Sequence, residues 1–172
     1  MSKFDYSLDY KNLNFRDRPD LYRVGKGEQG VLLVEPYKSE ILPYWRFKTP
    51  EIAIESSNKI YQLFLKYLDE SDFVGADMAR KFLQMGYTRS RRYANHKSGK
   101  KYRTNPQQAE SKAAEAKARK DILPLDIDPV KAKSAEIFKE KWQEAKANPK
   151  YQQLLQLHQK KYQDQSNGAK AN

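Results

Sequence analysis

Apolar residues in this chain recur at two spacings, and the change between them predicts a change of structure. From Pro50 to Leu68, the residues Ile52, Ser56, Ile60, Leu63, Phe64, Tyr67 and Leu68 fall three or four apart, which aligns them on one side of a helix. Thr49 before Pro50 supplies an N-cap and a first-turn proline. Asp72 caps a second predicted helix, with Val74, Met78, Phe82 and Met85 on one side and Asp77, Arg80, Lys81 and Gln84 on the other. Gly86 reads as its terminator. Thr88 then caps a third, shorter helix in which Arg89, Arg92 and His96 share a face, ended by Ser98-Gly99. Further helices are predicted after Asn105-Pro106, Asp128-Pro129 and Asn148-Pro149. The first is Ala-rich and polar all round, whereas the last two carry narrow apolar stripes (Val130, Ile137, Phe138, Trp142, then Tyr151, Leu154, Leu155, His158, Tyr162).

The stretch before Thr49 has a different texture. Residues 1–20 are polar with interspersed aromatics (Phe4, Tyr6, Tyr10, Phe15), an irregular arm expected to dock on the body. Tyr22–Val24 and Val31–Val34 are short β-prone runs separated by Gly-rich sequence able to reverse the chain. Ile41–Phe47, with Pro43 inside it, reads as an edge strand. The predicted fold class is therefore α+β, a small antiparallel N-terminal sheet covered by helices, with a C-terminal helical hairpin. The expected organisation is an α+β core over 1–104 and an exposed connector helix over 105–124. A hairpin packed on the core follows over 125–163, and a disordered tail over 164–172.

Composition narrows the chemistry. The chain has no Cys, which removes disulfides, thiolate metal sites and cysteine nucleophiles and fits a reducing compartment. The N-terminal residues lack the apolar core of a secretory signal, and no run approaches membrane-spanning length, so a cytoplasmic protein without membrane contact is expected. Only 38% of residues are hydrophobic and 32% are charged, which leaves part of the chain outside any core. His96 and His158 are far apart and no HExxH occurs, so neither a metal site nor a cofactor is expected. Asp126 and Asp128 resemble a magnesium pair, but Asp128 is already explained as a cap before Pro129. Gly25–Gly30 matches G-x-G-x-x-G, yet a β-prone run follows where a dinucleotide site needs a helix, and the segment reads as a turn.

Charge is concentrated in one place. Arg80 to Arg103 holds nine Lys or Arg and no Asp or Glu, out of a net charge of +11 for the chain. A solvated helix face normally interleaves acids with its bases, and this segment does not. Tyr87, Tyr93 and Tyr102 are spaced through it, and cations beside aromatics are the means by which single strands and structured RNA are bound. The expected function is non-catalytic binding of nucleic acid or another polyanion, through Arg80, Lys81, Arg89, Arg91, Arg92, Tyr93, His96, Lys97, Lys100 and Lys101. The alternative is an enzyme acting on a phosphorylated small molecule or nucleotide, with Arg89 and Arg92 gripping phosphate and His96 carrying a proton. A weaker third reading is an adaptor whose basic patch meets an acidic protein. No catalytic residue is assigned.

Two segments, GKGEQGVLLVEPYKSEILPYWRFKTPEIA and ADMARKFLQMGYTRSRRYANHKSGKKY, resemble a family of small bacterial, viral and fungal intracellular proteins classified as a domain of unknown function. The likeness covers roughly residues 4–103 and, more loosely, 128–162 with its AEIFKEKW. It implies a self-contained module and carries no catalytic residue to this chain.

Overall fold

The computed structural model describes residues 3–163, and nearly all of its regular structure is helical. The α-helices among these residues are α1 (Tyr37–Ile41), α2 (Pro50–Asp69), α3 (Phe73–Asn95), α4 (Lys112–Lys120), α5 (Pro129–Ala147) and α6 (Pro149–His158). Local chemistry sets most of their starts. The side chains of Thr49, Asp72, Ser111, Asp128 and Asn148 each accept a backbone N–H of the first turn of α2 to α6. Helix α3 packs against both α2 and α5, which also touch each other, and α6 closes against α3. Ile60, Phe64, Met78, Phe82, Leu83 and Phe138 fill the space between them, fully buried. The N-terminal arm docks through Phe4 and Phe15, with Tyr10 stacked between them.

The expected sheet is absent, and the α+β assignment is corrected to an all-α fold. Among the described residues the only β-type pairing is one isolated bridge, Tyr102 with Ile122. The run Val31–Val34 forms successive turns instead, with Val31 N–H bonded to Glu28 O and Leu33 N–H to Gly30 O. Its burial shows why: Val31 and Val34 are inside while Leu32 and Leu33 face solvent, the three-residue spacing of a turn and not the alternation of a strand. The supposed edge strand is the end of α1 followed by a 3-10 turn, Leu42–Tyr44, in which Pro43 needs no donor. The Ala-rich connector is divided into a short turn at Pro106–Gln108 and the mostly exposed α4. The tail expected over 164–172 lies outside the described residues.

Helix α3 also runs through both signals read as its end and a new start. Gly86 sits mid-helix, and a Cβ there would lie 2.2 Å from Cδ1 of Phe138. The glycine allows α5 to come close to α3. Thr88 turns its hydroxyl to the Glu28 carboxylate and to Met85 O, so it caps nothing.

The polar side of α3 is turned inward. Asp77 is completely buried and accepts hydrogen bonds from Tyr22 Oη, from Tyr151 Oη at 2.6 Å, and from Arg80 Nη2 at 2.6 Å. Lys81 Nζ stands 3.9 Å from its other oxygen. Both cations also donate to loop carbonyls, Arg80 Nη1 to Gly27 O at 2.7 Å and Lys81 Nζ to Gln29 O at 2.7 Å, and Arg80 Nη1 donates to Gln84 Oε1 at 2.9 Å. The Gly-rich segment thus folds over the charges. Gly25, Gly27 and Gly30 all have positive φ, and a Cβ on Gly30 would strike the Phe4 ring at 2.0 Å. Burial by itself raises the pKa of Asp77, but Arg80, Lys81 and the two phenols outweigh it and hold the carboxyl below its ordinary range. Burial lowers Lys81 to about 7 against the pull of Asp77.

Two consequences can be measured. Gly86→Ala gains about 1 kcal/mol of helix propensity but overpacks Phe138, and a net loss of about 1–2 kcal/mol is expected in urea unfolding. A gain in stability would show that the two helices are not in close contact there. Asp77→Asn leaves the buried Arg80 guanidinium without its carboxylate and should cost about 3–5 kcal/mol. The unfolded carboxyl protonates at a higher pH than the folded one. Its stabilisation is therefore complete above about pH 4 and is lost as pH falls through the lower native pKa. D77N should flatten this acid limb of the stability profile, and an unchanged limb would assign it to other carboxyls.

Candidate anion-binding cleft

The second half of α3 emerges from the core carrying Arg89, Arg91 and Arg92, and the chain then doubles back along it. His96 leaves the helix, a turn at Lys97–Gly99 reverses direction, and Lys100–Arg103 returns beside the helix. Arg92 Nε donates to Gly99 O at 2.7 Å, which ties the turn to the helix. The segment 121–128 holds the other side by backbone bonds, from Leu123 N–H to Lys101 O and from Asp126 N–H to Asn95 O. Basic side chains that share a linear stretch of sequence are thus fixed around a common depression.

That depression has two adjoining recesses. The first, of about 460 Å³, is lined by Glu28, Tyr87, Thr88, Arg89, Arg91, Arg92, Asn95, His96, Lys101 and Tyr102. The second, of about 440 Å³, shares Arg89, Arg92, Lys101 and Tyr102 and adds Tyr93, Lys100, Arg103, Asn105, Gln107 and Arg119 among others. Arg92 and Lys101 both lie against the Tyr102 ring, at 5.7 and 5.3 Å. Among the described residues Arg89, Arg91, Arg92, Lys97, Lys100 and Lys101 have no carboxylate within ion-pair distance. Arg103 and Arg119, by contrast, pair with Asp121 and Glu115. His96 is 4% exposed, and among the described residues its Nδ1 has no hydrogen-bond partner, nor has Oδ1 of the neighbouring Asn95. Burial raises the pKa of Glu28, an effect opposed by its bond to Thr88 and the charge of Arg89.

The predicted site residues divide three ways. Arg89, Arg91, Arg92, His96 and Lys101 meet in the first recess, and Tyr93 and Lys100 join Arg89, Arg92 and Lys101 in the second. Lys97 is exposed and lines neither. Arg80 and Lys81 are inside the protein, 6% and 0% exposed, paired with Asp77 and closed off by the 25–30 loop. They do not contribute to a surface. Tyr93 is half-buried and its ring packs against Phe47, and Tyr87 stacks on Trp142. Glu28 and Arg119 were missed, since each comes from a distant segment and carries no local signal. Tyr102 and Arg103 were within reach of the charge pattern. His158 is buried, accounted for by its bond to Tyr22 O. Asp128 caps α5 through Val130 N–H and Lys131 N–H. Among the described residues no group of His, Asp and Glu is placed to hold a metal ion, and no helix is long and apolar enough to cross a membrane.

No curated protein and no solved structure matches this chain. A family model does, across residues 5–161, which include the whole of the cleft and the buried charge cluster. The chain belongs to that family, described as a domain of unknown function, DUF4385.

Proposed function

We propose that this protein is a cytoplasmic, non-catalytic binder of nucleic acid or another polyanion, and that the two recesses along α3 and Lys100–Arg103 are its binding surface. The observation that carries the reading is the state of the cations. Asp77, Glu115 and Asp121 occupy four of the bases of this region, whereas among the described residues the six around or beside the recesses have no carboxylate within ion-pair distance. Six unpaired cations held close together repel one another, and an anionic ligand relieves that repulsion. Tyr102, with Arg92 and Lys101 over its ring, holds these two cations together at the junction of the recesses.

The enzymatic alternative gains a recess at His96 but lacks the pair it needs. Glu28 lines the same recess, yet its carboxylate accepts from Thr88, and no hydrogen bond joins it to His96. An imidazole without an orienting acid or base is poorly equipped for proton transfer.

Salt dependence tests the reading. Each phosphate neutralised on a single strand contributes a slope of about −0.7 in log affinity against log salt, so four to six contacts give about −3 to −4. Changing Arg89, Arg91 and Arg92 together to Gln should flatten the slope by about two, while unfolding stability stays within about 1 kcal/mol. The same triple change at Lys11, Lys150 and Lys160, exposed elsewhere, should leave the slope nearly unchanged. Binding indifferent to salt, or equally damaged by both triples, would remove the cleft as the site.

A further inference from the structure

The two recesses are unequal, and the difference bears on which part of a strand each receives. The second is walled by cations and by groups without charge. The first carries Glu28, the only acid lining either recess, on a wall it does not share with the second. A phosphodiester chain running on past that wall would bring its next phosphate against a carboxylate. His96 and Asn95 also line the first recess, and His96 Nδ1 and Asn95 Oδ1 are buried without hydrogen-bond partners among the described residues. Buried polar atoms without partners cost free energy, and a ligand that reaches them recovers it. An Asn amide can offer its oxygen or, turned over, its NH₂, and a neutral imidazole can donate from Nδ1.

We propose that the His96 recess is a subsite for a phosphomonoester, the phosphorylated end of a nucleic-acid strand whose body lies along the second recess. This rests on the polyanion reading and narrows it from the length of a strand to its terminus. A terminal phosphate carries nearly two charges near neutral pH, against one for an internal diester, and has three oxygens free to accept. Arg89, Arg91, Arg92 and Lys101 on the walls match that charge, and guanidinium groups take phosphate oxygens in pairs. Glu28 acts as the stop: it excludes a continuing strand, and Thr88 holds it in place.

The test uses the full chain and one short single-stranded oligonucleotide prepared with a 5′-phosphate, a 3′-phosphate, or hydroxyls at both ends, with a nucleoside monophosphate as competitor. One phosphorylated form should bind about tenfold more tightly than the hydroxyl form, the scale of charge-assisted hydrogen bonds. Arg91→Gln, in the first recess only, should abolish that preference, weakening the phosphorylated form more than the hydroxyl form. Lys100→Gln, in the second only, should weaken all three forms alike. Glu28→Gln should improve the hydroxyl form and shrink the preference, by removing the stop. His96→Phe should lose the preference at an unaltered salt slope, and the variants at Arg91, Lys100 and Glu28 decide the matter if it does not fold. Equal binding of all three strands would overturn end recognition while leaving the polyanion reading intact. Binding of the monophosphate without any strand would keep the subsite, assign it to a free nucleotide and remove the polyanion reading. Failure of every strand and of the monophosphate would remove both.

Discussion

A carboxylate taken out of water must be neutralised where it lies, and Asp77 meets that demand by drawing three segments of the chain together. Tyr22 comes from the N-terminal region, Arg80 and Lys81 from α3 itself, and Tyr151 from α6. The two cations in turn require further acceptors, and they find them in the carbonyls of Gly27 and Gln29 and in Gln84 Oε1. Each group is thereby held by another from a different part of the sequence. Buried charge of this kind is a weak source of net stability, because desolvation opposes the attraction. Its effect is to fix which segments meet: an arm, a loop and the C-terminal helix all close on one side of α3.

That closure positions the candidate cleft. With its first half locked inside the core, α3 projects its second half outward as a rigid support, and the bases carried there lose their freedom to disperse. Gly86 lets α5 lie close alongside, so Phe138 braces the helix at the point where it leaves the core. The Lys97–Gly99 turn and the 121–128 link then hold the returning strand of cations against it. A long helix from core to surface joins the two charge systems. One is internally paired and structural. The other is left unbalanced and faces solvent.

The same six-residue glycine pattern shows how context assigns a motif its role. Between a strand and a helix it would place backbone N–H groups around a pyrophosphate. Here its carbonyls point to buried cations instead, and its positive φ values serve that convergence. The loop recognises a cation from its own chain, the reverse of the polarity that the motif is known for.

What the sequence determined by itself was what depends on a few adjacent residues. Thr49-Pro50, Asp128-Pro129 and Asn148-Pro149 open helices because a cap and its N–H partners lie within three positions of each other. The concentration of bases in 80–103 was equally legible, being a matter of composition along a line. The fate of those bases was not. Arg80 and Lys81 share a face with Asp77 and Gln84 at spacings that read as a solvent side, and only distant segments make it an interior. The short runs at 22–24, 31–34 and 41–47 were apolar enough for strands, but a strand needs a partner, and none is supplied here. Gly86 read as a stop because a glycine's meaning depends on what approaches it, in this case Phe138 from fifty-two residues away. Caps and charge totals are local quantities. Burial, pairing and the matching of one charge to another are properties of contact across the chain, and the tertiary structure decided them.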